Sequence, residues 1–113
     1  MTPRLSSAML VGALIRRVQA EGGYATVLAK GDAGGGAIIL ICAERGQVSG
    51  LFERILDMGG AYAWAPCGPR DTTDAPEISQ YLERRRTRDP DIWIVELDIA
   101  DAERFAAETI GPA

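Results

Sequence analysis

The seven-residue run Ala37–Ala43 constrains the fold more than any other segment, because every side chain in it is apolar or small. A strand with one solvated face alternates apolar and polar side chains, whereas this run presents apolar side chains to both faces. The pattern is typical of a central strand that is covered on both sides. Two arrangements satisfy it: helices lie on both faces of the sheet, or one face is a surface for a partner.

Hydrophobic periodicity, capping residues and turn residues predict the elements around this strand. Helices are expected from Ser6 or Ser7 to about Ala20, from Asp74 to the residue before Pro90, and from Asp101 to Thr109. Strands are expected at Tyr24–Lys30, Ala37–Ala43, Val48–Asp57, Ala61–Ala65 and Ile92–Asp98.

Turn residues between the strands predict how the strands pair. The glycine-rich segment Gly31–Gly36 predicts a hairpin between the first two strands, and it is not followed by the helix that a phosphate-binding loop requires. Tight turns at Gly46 and Gly59 predict two further antiparallel pairs. We therefore predict an α+β fold with a mostly antiparallel sheet of about five strands, in the order α-β-β-β-β-α-β-α, with helices packed on the sheet. Residues 1–113 are expected to form a single domain.

The chain contains no histidine, which excludes many enzyme mechanisms. Histidine general acids and bases, Ser–His and Cys–His nucleophile pairs, and imidazole metal sites are all absent. Lys30 is the only lysine, and Cys42 and Cys67 lack the spacing of a metal site. Glu96 and Asp98 alternate along one strand, but no further oxygen ligand is placed beside them. The sequence does not decide whether the protein is an enzyme, although it favours a protein without catalytic activity. It predicts no cofactor and no metal.

Charge and hydropathy bear on partners and location. The formal net charge is −4, which argues against nucleic acid as a partner, because phosphate backbones attract Lys and Arg. The apolar stretch Ala8–Ile15 is far shorter than the roughly 20 residues of a membrane span, and no cleavage site follows it. We expect no membrane association. A cytoplasmic location fits two cysteines without a disulfide framework.

The densest polar cluster of the sequence follows the second helix. Because Arg binds carboxylates and phosphates through two parallel hydrogen bonds, this corner is a candidate ligand-binding site for an anion. The alternative is that the arginines favour a helix C-terminus and that the aspartates cap the following turn. The candidate residues are Arg84, Arg85, Arg88, Asp89 and Asp91.

Arg16 and Arg17 extend this hypothesis, together with Arg4. If the first helix packs beside the second, these guanidinium groups would join the corner in one basic patch on an acidic protein. Such a patch would suit an anionic small molecule or an acidic protein segment. The alternative is that the charges are separately solvated.

Three strings resemble a family of small uncharacterised bacterial proteins, domain of unknown function family 1491. They are Arg4-Leu5-Ser6-Ser7 before a helix that ends in Arg16-Arg17, Lys30-Gly31-Asp32 leading into Gly36-Ala37-Ile38, and Arg88-Asp89-Pro90-Asp91-Ile92-Trp93-Ile94-Val95-Glu96. The resemblance covers nearly the whole chain. It implies a compact, stand-alone, cytoplasmic bacterial protein, and it supplies no activity, substrate or site residue.

These observations predict a non-enzymatic interaction or assembly module that acts through a surface of the sheet or through the arginine-rich corner. Self-association as a homodimer would account for the second apolar face of the central strand. The alternative hypothesis is a small-ligand-binding domain, or a modest enzyme, that recognises an anionic ligand through the Arg84–Asp91 corner.

Overall fold

The structure is a computed structural model that describes residues 6–109 of the chain. These residues form three helices and five strands in the predicted order, α-β-β-β-β-α-β-α. The elements are α1 (Ser7–Ala20), β1 (Tyr24–Ala29), β2 (Ile38–Glu44), β3 (Gln47–Leu56), β4 (Tyr62–Pro66), α2 (Ala75–Arg88), β5 (Trp93–Asp98) and α3 (Ala102–Glu108).

The helix ends confirm the predicted caps. The Ser6 hydroxyl accepts a hydrogen bond from the Met9 amide (3.2 Å), which satisfies a free N–H of the first turn of α1. Gly22 has a φ of +86° just after this helix, and the Gly23 amide reaches back to the carbonyl of Val18 (2.9 Å). At the start of α2, the Asp74 carboxylate accepts from the Glu77 amide (3.0 Å).

The strands lie in the order β1-β5-β2-β3-β4. All neighbours are antiparallel except β2 and β5, which are parallel, so the sheet is mixed. The predicted hairpin between β1 and β2 is wrong, because β5 lies between them. Local turn residues show that the chain bends at Gly31–Gly36, but they carry no information about a strand that arrives from far along the chain and separates the two.

The glycine-rich segment instead closes over the start of β5. The Asp32 amide donates to the carbonyl oxygen of Asp91 (2.9 Å), and the Asp32 carbonyl accepts from the indole of Trp93 (2.8 Å). A Cβ atom at Gly31 or Gly36 would overlap the carbonyl oxygen of Asp91. Two of these glycines are therefore required by a close crossing of backbones.

Helices cover both faces of the sheet. On one face, α1 and α3 pack against one set of alternate strand residues, which includes Leu40, Val95 and Leu97. On the other face, Ile78 of α2 packs against the opposite set, which includes Ile39. Strand β2 is buried on both sides from its first residue to Ala43. Of the two arrangements that the apolar run allowed, the structure has helices on both faces, so β2 gives no support for a partner surface.

The same division orients β5. Trp93, Val95 and Leu97 belong to the core under α1 and α3, and Ile92 and Ile94 belong to the core under α2, as their alternation predicts. Among residues 6–109, no helix combines the length and the apolar character that crossing a membrane requires.

Candidate functional site

The two halves of the predicted basic patch lie on opposite faces of the sheet. Arg16 and Arg17 belong to α1, and Arg84, Arg85 and Arg88 belong to α2. Since α1 and α2 pack on different cores, the first helix does not lie beside the second, and the structure does not bring the two groups together. Arg4, the third member of the N-terminal group, lies outside the described residues.

Arg17 connects α1 to α3. Its guanidinium donates to the carboxylate of Glu108 (2.6 Å) and to the hydroxyl of Thr109 (3.1 Å), and it lies 5.4 Å from the ring centre of Phe105. The hydrogen bond from Arg17 lowers the pKa of Glu108 below its ordinary value. Arg16, its neighbour, is exposed on α1. Arg17 therefore has a structural contact of its own within the chain.

Arg85 connects α2 to β3. It forms a two-pronged ion pair with Glu53, and its Nη1 atom also lies 2.6 Å from the hydroxyl oxygen of Tyr81. Both members of the ion pair are about three-quarters buried, with exposed side-chain fractions of 24% and 28%. The hydrogen bond to Glu53 is the main cause that raises the pKa of Arg85. Most of the binding capacity of this guanidinium is thus used inside the chain.

The two aspartates of the corner shape the turn that leads into β5. The Asp89 amide donates to the carbonyl of Arg85 (2.9 Å), and the Asp89 carboxylate accepts from the Asp91 amide (3.1 Å). Asp91 is the residue whose carbonyl holds the amide of Asp32. These hydrogen bonds agree with the alternative stated for this corner, in which the aspartates cap the turn after the second helix. None of the ion pairs within residues 6–109 joins either aspartate to an arginine.

Arg84 and Arg88 are the part of the corner that faces solvent. Together with Gln80 and Thr87 they border a shallow depression of about 530 Å³ on the outer side of α2. Of the residues predicted to bind an anion through the Arg84–Asp91 corner, only Arg84 and Arg88 border this depression.

Neither thiol is activated as a nucleophile. Burial raises the pKa of Cys42 to about 12, and burial also raises the pKa of Cys67, which lies against Tyr81. Because the thiolate is the reactive form, both cysteines are predominantly unreactive thiols at neutral pH.

The acidic residues do not assemble a metal site. Within residues 6–109, no group of three or more Cys, Asp or Glu side chains has the geometry to hold a metal ion. The Asp98 carboxylate accepts from the amides of Arg45 and Gly46, both at 2.8 Å, and so it caps the β2–β3 turn. Arg45 and Gly46 both have positive φ, as the two central residues of a type I′ hairpin turn do.

Within residues 6–109, strand β1 forms one edge of the sheet and pairs only with β5. It contains no charged residue between Tyr24 and Ala29, whereas edge strands usually carry charges that discourage further pairing. Three of its larger side chains are substantially exposed: 76% for Tyr24, 40% for Val27 and 51% for Leu28. The other edge strand, β4, is shorter, ends at Pro66 and is tied to α3 by a hydrogen bond from Trp64 to the carbonyl of Ala106 (2.8 Å).

An open groove runs beside β1 on the face that α2 covers. Ile78 of α2 shares a core with Leu51 of β3 and Ala29 of β1, and open space remains between the helix and the exposed Leu28. The groove consists of two cavities of about 540 and 510 Å³, both of which contact Leu28, Ser79 and Leu82. We call this surface the β1 groove, defined by Leu28, Ala29, Ile41, Ile78, Leu82 and Ile94.

The sequence reasoning did not single out β1 as a candidate interaction surface, because it linked self-association to the second apolar face of the central strand. The available signal was the composition of Tyr24–Ala29, which combines aromatic, β-branched and aliphatic residues without a charge. Once β5 is known to lie between β1 and β2, the same composition identifies an edge strand without charged residues.

Comparisons with known proteins place this chain among small bacterial relatives. A model of the family described as "Protein of unknown function (DUF1491)" matches residues 5–107. An NMR structure of a DUF1491 family protein from Caulobacter crescentus CB15 is 36% identical and has a TM-score of 0.76, with 92% of this chain and 94% of that chain covered. A crystal structure of a DUF1491 family protein from the same organism is 37% identical, again with a TM-score of 0.76, and the match covers 89% of this chain and 94% of that one.

A third relative comes from another bacterium. The solution structure of protein Atu0922 from A. tumefaciens is 32% identical, has a TM-score of 0.68, and is covered over 89% of its length by 88% of this chain. Curated proteins gave no match. The similarity extends over nearly the whole fold, and none of these descriptions supplies an activity or a ligand.

Proposed function

Because this chain belongs to the DUF1491 family, whose function is unknown, we propose its function from its own geometry: it is a non-enzymatic protein-interaction module that acts through the free edge of β1. The observation that carries this proposal is the combination of an uncharged edge strand, three exposed apolar side chains on it and the open β1 groove beside it. The proposal retains the interaction module that the sequence predicts and moves its surface from β2 to β1.

The physical basis is strand addition. The outer side of an edge strand has a row of backbone N–H and C=O groups that another strand can bind without any change in the fold. Backbone hydrogen bonds give such an interface its affinity, and adjacent pockets select the side chains of the partner. In this chain the β1 groove supplies a pocket on one face of the edge, between Leu28 and Leu82, and its lining combines these apolar side chains with polar ones such as Arg86.

The predicted polar candidates support an interaction role rather than catalysis. Arg17 and Arg85 are bound to carboxylates of the same chain, and Asp89 stabilises a turn. A catalytic group needs free access to a substrate and a pKa suited to proton transfer or nucleophilic attack. These side chains are instead held by contacts that stabilise the fold.

Site-specific photo-crosslinking in the native cells tests the proposal. A photoreactive amino acid replaces Leu28 in one strain and Leu56 in another, because both leucines are 51% exposed and only the first lies on β1. We expect covalent adducts from position 28 and none of comparable yield from position 56. Thermal unfolding of the two purified variants shows whether each is folded. Equal yields from the two positions would overturn the proposal.

A further inference from the structure

We propose that the occupant of the β1 edge is a second copy of this chain, which pairs its own β1 in antiparallel orientation about a two-fold axis at Thr26. This inference rests on the proposed function and identifies its partner. The result would be a continuous ten-stranded sheet, formed from the five strands of each copy. Such an interface is self-complementary, because each copy contributes the same strand.

The faces of the β1 side chains are compatible with two-fold pairing. Tyr24 is paired with Asp98 and Thr26 with Glu96, so both point to the α2 face, and Leu28 joins them because it lines the β1 groove. Ala25 and Val27 point to the opposite face. Directly opposite residues of antiparallel strands share a face. Every register centred on a residue meets this condition, and the register centred on Thr26 is the one that places Tyr24 opposite Leu28.

In this register the exposed apolar side chains cover one another. Tyr24 lies opposite Leu28 of the second copy on the α2 face, and Val27 lies opposite Ala25 on the other face. Aromatic and β-branched side chains form the more favourable cross-strand pairs. The register shift between Val27 and Ala29 falls at Leu28, so the strand is regular from Tyr24 to Val27 and the Tyr24–Leu28 pair lies at the bulge.

The distribution of charge agrees with two-fold pairing. The exposed Glu21 precedes Tyr24 by three residues at one end of β1, whereas Lys30 follows Ala29 at the other end, where Arg86 lines the groove. Antiparallel pairing places the basic end of one copy beside the acidic end of the other, at both ends of the seam. The seam itself contains no charge, so no like-charge repulsion opposes it.

Disulfide trapping tests the register. The cross-strand Cα–Cα distance in an antiparallel pair is about 4.5–5.5 Å, which lies within the range of a disulfide. In a Cys67→Ser background, with Cys42 buried, we expect mild oxidation of Thr26→Cys to give a covalent dimer that reduction separates. The matched variant Leu56→Cys, also exposed, should remain a monomer. Equal dimer yields from the two cysteines would overturn the proposal.

Sedimentation equilibrium of the purified, otherwise unmodified chain tests the association itself. We expect the average mass to rise with concentration toward that of two chains, and Leu28→Lys to weaken association by about tenfold or more. The control variant Leu56→Lys should leave association unchanged, and circular dichroism verifies that both variants fold. A strict monomer at all concentrations, together with no Thr26→Cys dimer, would overturn pairing with a second copy. Crosslinks in cells from position 28 to a different protein would then still support the interaction module.

Discussion

The indole N–H of Trp93 donates a 2.8 Å hydrogen bond to the carbonyl oxygen of Asp32, across 61 positions of the sequence. This bond fixes the loop between β1 and β2 to the start of β5. It accompanies the insertion of β5 between those two strands, and the insertion is what places β1 at the edge of the sheet. The candidate interaction surface is thus a consequence of this long-range contact.

Substitution of a glycine at the crossing between the β1–β2 loop and the start of β5 should disrupt the contact between them. Gly36→Ala would drive a methyl group into the Asp91 carbonyl, so we expect a loss of about 3 kcal/mol or more in the free energy of unfolding. Gly35→Ala is the matched control, since nothing lies within 4 Å of its Cβ position, and its effect should stay within about 0.5 kcal/mol. Urea denaturation measures both. Similar losses for the two variants would contradict the described crossing.

Removal of the α2–β3 ion pair should destabilise the fold. Arg85→Ala leaves the partly buried Glu53 without its charged partner, and we expect a loss of about 2 kcal/mol. Arg84→Ala, one residue away and exposed, should change stability by less than about 0.5 kcal/mol. A double-mutant cycle with Glu53→Gln should show coupling between the two positions. Additive effects in that cycle would show that the ion pair contributes nothing.

The contact between α1 and α3 should depend on pH. Because Arg17 lowers the pKa of Glu108 in the folded chain, the contact adds stability above the pH at which an unfolded Glu ionises, and this stability is lost as the pH falls through the folded pKa. We expect Glu108→Gln to lower the thermal midpoint at neutral pH, and the difference from the unsubstituted chain to shrink as the pH falls below the range in which an unfolded Glu ionises. In an Arg17→Gln background this pH dependence should be reduced. A difference independent of pH would contradict the role of the carboxylate charge.

The alternative hypothesis of an anion site predicts a distinct response. If the solvent-facing arginines do not form a site, phosphate and citrate should raise the thermal midpoint no more than chloride does at equal ionic strength. Stabilisation by one of these anions would favour the ligand-binding alternative if Arg84→Gln and Arg88→Gln abolished it. Arg70→Gln, an exposed loop variant, is the control for a general effect of charge.

Local patterns in the sequence were sufficient to predict most of the helices and strands. The cap residues Ser6 and Asp74 and the alternation along β5 depend on neighbours a few positions away, so they could be predicted. The position of β5 between β1 and β2 depends on contacts such as Trp93 with Asp32, which no local pattern contains. The mixed sheet and the failed hairpin both follow from this one long-range pairing.

The candidate site was harder to predict for the same reason. Arg85 is adjacent to other arginines in sequence, but its partner is Glu53, 32 positions away on another strand. The shared basic patch depended on the first helix packing beside the second, whereas the fold separates α1 from α2 by the thickness of the sheet. The edge position of β1 could be known only once the strand order was known.

Amide hydrogen exchange of β1 tests the central claim, that this edge pairs with a second copy. The measurement compares dilute and concentrated samples of the purified chain, from about 1 μM to about 1 mM. Pairing predicts that exchange at Tyr24–Leu28 slows as the concentration rises, while exchange at the opposite edge strand, Tyr62–Pro66, stays constant. Exchange in β1 that is equally fast across the whole range would contradict it.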